Sequence, residues 1–300
     1  MGSINPAAPP SWGCVRPSDI ITQVAALILA IGAAQAAQSD APPERVVSMN
    51  LCTDQLAMML AGEGQLLSVS DIAHDPLVSP MVEEARAYRV NHGLAEEIYL
   101  MRPDLVLAGQ YTNAATVDML RRLGVRVEIF KTAQALDEVP ERIRQMGAAL
   151  GREDAAETLI ADFEARLALL RATEGPRPEA VLYYANGYTL GGQTLAGDVL
   201  EAAGFENAAV RAGYASGARM PLEVLATLQP DIVITSRKYP GASRSEDILN
   251  HPVVQRMRED TGAAAMTDGD WVCGTPFVLR AIEELAEVRR ALLRETGERE

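Results

Sequence analysis

Short β-branched, apolar runs alternate along the chain with longer stretches whose apolar residues recur at helical spacing. Arg45–Met49, Leu66–Val69, Asp104–Ala108 and Val125–Ile129 are each short and bounded by turn residues, which predicts strands. Between them, Asp54–Ala61 stopped by Gly62 and Ala114–Leu123 stopped by Gly124 read as helices. After Gly175-Pro176-Arg177-Pro178 a second set begins, with strands expected at Ala180–Tyr184, Asp231–Thr235 and Ala263–Thr267. Alternation of this kind predicts mainly parallel sheets covered by helices. The expected fold is therefore α/β, in two lobes.

From Asp137 to Ala172 nearly every residue is a helix former, with Ile143, Met146, Leu150, Leu159, Phe163, Leu167 and Leu170 on the apolar face. Only Gly147 and Gly151 soften it. This predicts one long or once-broken helix acting as a rigid strut that joins the lobes and resists hinge closure. The expected organisation is a leader over 1–36, a first lobe over 37–136, a linking helix over 137–174 and a second lobe over 175–300.

The leader rests on the unbroken apolar run Val24–Ala34, preceded by Arg16 and followed by Ala34-Gln35-Ala36, a small-x-small cleavage pattern. The run is too short for a confident spanning helix, which needs about 20 apolar residues. The expected location is thus periplasmic. Removing the leader takes Trp12 and Cys14 with it and leaves Trp271 as the one tryptophan and Cys52 and Cys273 as the two cysteines.

Charge narrows the function. Against 27 Lys and Arg stand 41 Asp and Glu, a net charge of -14, which repels a polyanion and argues against nucleic acid as partner. With three histidines, three cysteines and no CxxC or HExxH spacing, a resident metal or cofactor is not expected. GxSxG, P-loop and GxGxxG motifs are absent too, so the chain is not read as an enzyme. The one catalytic alternative is Cys52 as a nucleophile at a helix N-terminus, served by His74.

The two halves also repeat each other. Glu96, Ile98, Met101, Arg102, Pro103, Asp104, Leu105 and Val106 recur as Glu223, Leu225, Leu228, Gln229, Pro230, Asp231, Ile232 and Val233. The pattern is an amphipathic helix, a proline that ends it and a buried strand begun by Asp. Either glutamate alone reads as a solvated surface residue. As a duplicated pair they suit a partner that is itself two-fold symmetric.

The exported two-lobe plan, the helical strut, Arg45-Val46-Val47-Ser48-Met49-Asn50, the repeated Glu-to-Val segment and the closing Asp268-Gly269-Asp270-Trp271 together resemble the helical-backbone substrate-binding proteins of ABC importers, over about residues 44 to 295. That family carries ferric siderophores, cobalamin and haem, and the resemblance implies its fold: two Rossmann-like α/β lobes joined by a long rigid helix, with the ligand cleft between them. The resemblance implies a ferric siderophore as the first ligand expected and a corrinoid or haem as alternatives. It also implies docking of Glu96 and Glu223 on arginines of a permease dimer, and a binding protein that acts as a monomer. A sensor that keeps the fold without transport is a further reading.

Ligands of open α/β sheets bind beyond the carboxyl ends of the strands. The loops there offer Asn50 and Cys52, with Thr53 or Asp54 read as helix cap, then His74, then Tyr111 and Asn113. From the second lobe come Tyr184, Tyr188, Arg219, Arg237, Tyr239 and Trp271. Tyrosines and a tryptophan grouped at strand ends suit a large planar ligand, and the arginines would supply charge for a carboxylate or catecholate. Because both cysteines face the expected cleft from different lobes, a bridge between them would lock it, and free thiols, or at most a bridge formed only without ligand, are expected.

Overall fold

The computed structural model describes residues 41–297 apart from 172–173, 238–240, 242, 262 and 267, so the expected leader lies outside the described residues. The first lobe is a five-stranded parallel sheet in the order β3-β2-β1-β4-β5. Its strands are β1 (Val46–Ser48), β2 (Leu66–Ser70), β3 (Arg89–Asn91), β4 (Leu105–Gly109) and β5 (Arg126–Phe130). Helices α1 (Leu51–Leu60), α2 (Val82–Ala85), α3 (Ala95–Leu100) and α4 (Ala114–Arg122) connect them.

The second lobe holds a four-stranded parallel sheet in the order β11-β10-β6-β8, from β6 (Glu179–Leu182), β8 (Glu206–Asn207), β10 (Ile232–Ser236) and β11 (Ala263–Met266). A small antiparallel pair, β7 (Tyr188–Thr189) with β9 (Ala218–Arg219), lies beside it. Its helices are α7 (Leu195–Ala202), α8 (Ala208–Arg211), α9 (Leu222–Leu228), α10 (Pro252–Thr261), α11 (Asp268–Trp271) and α12 (Val278–Gly297). Every strand expected from the pattern is present. The additions β3, β7, β8 and β9 are only two or three residues long, too short to carry an alternation.

The linking segment is helical but is not one rod. It forms α5 (Val139–Leu150) and α6 (Glu153–Leu170), separated by Gly151 in the left-handed region (φ 67°, ψ 39°). The chain then folds back: Arg144 pairs with Glu157 at 2.8 Å, and a Cβ at Gly147 would lie 2.4 Å from that of Ala156. The two glycines read as soft points are thus the turn and the contact of a helical hairpin.

The lobes share a core. One continuous apolar cluster runs from Val46, Leu56 and Leu107 through Ile143, Met146 and Phe163 to Leu182, Leu200 and Ile282. Each lobe adds a smaller cluster on its other face, around Ile98 and Leu120 in the first and Tyr183 and Leu225 in the second.

Of the two expectations for the cysteines, free thiols are overturned. Cys52 and Cys273 are bridged, with Cα atoms 4.8 Å apart across a sequence separation of 221. The expectation failed because it set the two loops on opposite walls of an open cleft. In the fold, the loop after Trp271 descends onto α1, where Thr275 Oγ1 donates to Gln55 Oε1 at 2.9 Å. Gly274, at φ 56°, meets Ala133 so closely that an added Cβ would lie 2.5 Å from its methyl.

The sequence repeat is a structural repeat. Arg102 and Gln229 both turn into positive φ (51° and 47°), each ending its helix just before a proline. Asp104 accepts from the Glu44 and Arg45 amides, and Asp231 accepts from the Glu179 amide, so each aspartate ties the edge of its strand to the next one.

Candidate functional site

In both sheets the chain reverses its direction of strand addition once, between β1 and β4 and between β6 and β10. A crevice opens at such switch points. At the first, Asn50 follows β1, Gly109 ends β4 and Gln110 and Tyr111 follow it, packed so tightly that a Cβ on Gly109 would lie 2.9 Å from the Asn50 side chain. At the second, Tyr184 follows β6 and Ser236 ends β10.

Three adjoining cavities line this junction. One of about 260 Å³ is walled by Asn50, Cys52, Gln110, Tyr111, Lys131 and Arg142, among others, and by Val272 and Cys273. A second, about 350 Å³, lies over Tyr184, Ser236, Ser243, Glu246, Trp271 and Val272. A third, about 300 Å³, runs past Thr132, Tyr188, Leu195 and Ser216 to the same Trp271 and Val272. Val272 belongs to all three, so the loop Trp271–Cys273 is the divider of a single cleft.

Local chemistry fixes that loop. Tyr184 and Trp271 stack with centroids 5.8 Å apart at 24°. Buried Asp270 pairs with Arg280, which also lies over the Phe277 ring at 4.9 Å. Burial pushes the Asp270 carboxyl up, and the Arg280 and Arg237 charges pull it back down.

On the opposite wall, Asn50 is the cap of α1 and accepts from the Cys52 amide at 3.1 Å. Thr53 and Asp54 do other work. Thr53 bonds Ser48 at 2.8 Å, and Asp54, fully buried, accepts from the Ser70 amide at 3.2 Å and from its hydroxyl. Desolvation raises the Asp54 carboxyl to about 7 against the lowering effect of the serine hydrogen bonds.

The expected site residues separate into two groups. Asn50, Cys52, Tyr111, Tyr184, Tyr188 and Trp271 line the cleft, with Tyr111 84% exposed and free to turn toward a ligand. Cys52 does so as half of a disulfide. Arg237 is exposed beside Asp270. His74, Asn113 and Arg219 do not line the cavities: His74 ends a short 3-10 turn, Asn113 caps α4 through the Ala115 and Thr116 amides, and Arg219 is exposed on β9 opposite Tyr188. Tyr239 lies outside the described residues.

Lys131, Thr132 and Arg142 were missed. The first two directly follow β5, so reading the loop after every strand would have found them. Arg142 comes from α5, where only the fold brings it to the cleft. Among the described residues no three His, Cys, Asp or Glu side chains converge to hold a metal ion.

Residues 46–259 match the family model described as "Periplasmic binding protein". The chain belongs to that family. It is similar to the cobalamin-binding protein of Halobacterium salinarum, 30% identical over 204 residues, which is 65% of this chain and 54% of that one. It thus spans about half the length of that relative. Its fold is that of the periplasmic haem-binding protein RhuT of Roseiflexus (TM-score 0.65, 24% identity, 83% of this chain and 97% of that one). The vitamin B12-binding protein BtuF of Vibrio cholerae shares it as well (0.62, 22% identity, 84% and 98%).

Proposed function

We propose that this protein is the solute-binding component of an ABC importer, working outside the cytoplasmic membrane, and that it holds a metal chelate in the cleft around Trp271–Cys273. The observation that carries this reading is the meeting of two switch points on one loop, with a stacked Tyr184–Trp271 pair beside exposed Tyr111 and Tyr188. Such a lining grips a broad, partly apolar ligand.

Among chelates, the lining favours a corrinoid, with a ferric siderophore second, which reverses the order expected from sequence. Amide-fringed corrinoids are met by neutral groups such as Asn50, Gln110, Thr132 and Ser236. A ferric catecholate carries several negative charges, yet the described linings of the cleft hold only two cations. One of them, Arg142, already pairs with Glu141 at 2.9 Å. The printed name of the halobacterial relative points the same way. Delivery would run through Glu96 and Glu223, both exposed.

The Cys52-dependent enzyme loses its nucleophile in the bridge. Titration of the mature protein with cobalamin, haem, ferric hydroxamates and ferric catecholates, read by Trp271 emission, tests the assignment. Saturable quenching by cobalamin at micromolar concentration or below is expected. Catalytic turnover of a bound compound, or no binding of any chelate, would overturn it.

A further inference from the structure

We infer that the first-lobe end of the cleft is a subsite for an anionic arm of the chelate, with Lys131 as its contact residue. The inference rests on the function proposed above and concerns where charge is placed within that site.

The cavity under Tyr111, about 260 Å³, is lined chiefly by first-lobe residues. Its charged lining is of one sign: Lys131 and Arg142 contribute, and no carboxylate does. In a chain of net charge -14 that local excess is against the average. The cavity over Tyr184, by contrast, contains Glu246.

The two cations differ in what they can do. Arg142 is fixed, its side chain only 12% exposed, with Nη1 donating to Gln145 at 3.2 Å and Nη2 paired with Glu141. Its charge is offset by Glu141, which leaves Lys131 as the uncompensated cation of the cavity among the described residues. Lys131 follows β5 on the cleft side, is exposed, and its ammonium has no hydrogen bond or ion pair among the described residues. A mobile ammonium beside a fixed guanidinium suits a monoanion such as a phosphodiester or a carboxylate. The Cys52–Cys273 bridge, with one cysteine from each lobe, lines the same cavity. The planar body of the chelate is then left beside Trp271 and Tyr188.

The test compares chelates with and without such an arm on the full mature chain. Cobalamin carries a phosphodiester and dicyanocobinamide lacks it; haem carries carboxylates and a neutral ferric trihydroxamate does not. Each is titrated into wild type, Lys131→Gln and Lys131→Glu by calorimetry and Trp271 emission. For the chelate pair that wild type binds, Lys131→Glu should weaken the armed member about tenfold or more and the arm-free member by less than about twofold. Lys131→Gln should lie between, and the contrast should shrink as salt rises from about 0.05 M to about 0.5 M. Whether the cobalamin or the haem pair shows the split names the phosphodiester or the carboxylate. Equal loss for both members, or no loss for either, overturns the subsite while wild-type binding still supports the chelate function. Failure of wild type to bind any of the four overturns both.

Discussion

Breaking the Cys52–Cys273 bridge should lower stability sharply while leaving the shape unchanged. The bridge closes a loop across a separation of 221 residues, from the first turn of α1 to the end of the cleft loop. In the chain-entropy picture, closing a loop of that length in the unfolded chain is worth about 5 kcal/mol, an upper figure because residual structure in the unfolded state reduces it. For a domain of this size each kcal/mol moves the melting temperature by about 2–4 °C, so a drop on the order of 10 °C is expected. Two features keep the lobes together without the bridge: the Gln55–Thr275 hydrogen bond and the apolar cluster common to both lobes. The double variant Cys52→Ser/Cys273→Ser, wild type treated with reductant and oxidised wild type would be compared by thermal melting and small-angle scattering. The first two should melt alike and well below the third, with one radius of gyration for all. A double variant melting within about 2 °C of oxidised wild type would refute the argument, as would two reactive thiols on the protein recovered without reductant.

Four further outcomes follow from the same geometry. Asp54, raised to about 7 by burial, binds a proton more tightly folded than unfolded. Its contribution is therefore full below the unfolded carboxylate value near 4 and declines as pH rises toward 7, by on the order of 4 kcal/mol; pH-dependent melts of Asp54→Asn should lack that decline relative to wild type. Gly147→Ala should destabilise by about 1–3 kcal/mol in denaturant melts, because the added methyl meets Ala156 where α5 and α6 touch. Ligand should leave the scattering profile nearly unchanged, since the lobes share a core, and a clear contraction would favour a hinged protein instead. Glu96→Arg and Glu223→Arg should each weaken delivery to the permease in a reconstituted transport assay while chelate affinity, measured on the purified variants, stays the same.

The sheets were legible because each strand is a compact apolar run, and the local rule of strand, turn and helix is written in residues next to one another. Contacts across long separations were not. The Cys52–Cys273 bridge and the Gln55–Thr275 bond span more than two hundred residues, and no local pattern reports that the loop after Trp271 comes down on α1. The linking segment was legible as a helix broken once, but its fold-back was not. Helix-forming composition continues through Gly151, but one left-handed residue is enough to reverse the chain. Tyr111, Tyr184, Tyr188 and Trp271, expected at strand ends, line the cavities, whereas Asn113 caps a helix instead. Arg142 came from a helix that sequence read as a strut, so its charge at the cleft was invisible.

The repeat shows which duplicated residues the fold needs and which it does not. Ile98 and Leu225 are fully buried, Met101 and Leu228 nearly so, and Asp104 and Asp231 tie strand edges, so each of these pairs persists for a structural reason. Surface positions on the same two helices have drifted apart: Tyr99 and Leu100 stand where the second lobe has Ala226 and Thr227. Glu96 and Glu223 break that rule. Both are exposed, and neither carboxylate is held by a hydrogen bond or an ion pair among the described residues, so packing gives no cause for their agreement. Each also lies in the first turn of its helix, where the dipole favours an acid, so the fold gives part of the reason for their agreement; as two charges on lobes that share a core they are also the pair that the proposed docking requires. A two-fold partner would supply the rest of the reason, because each of its identical halves then meets an identical acid.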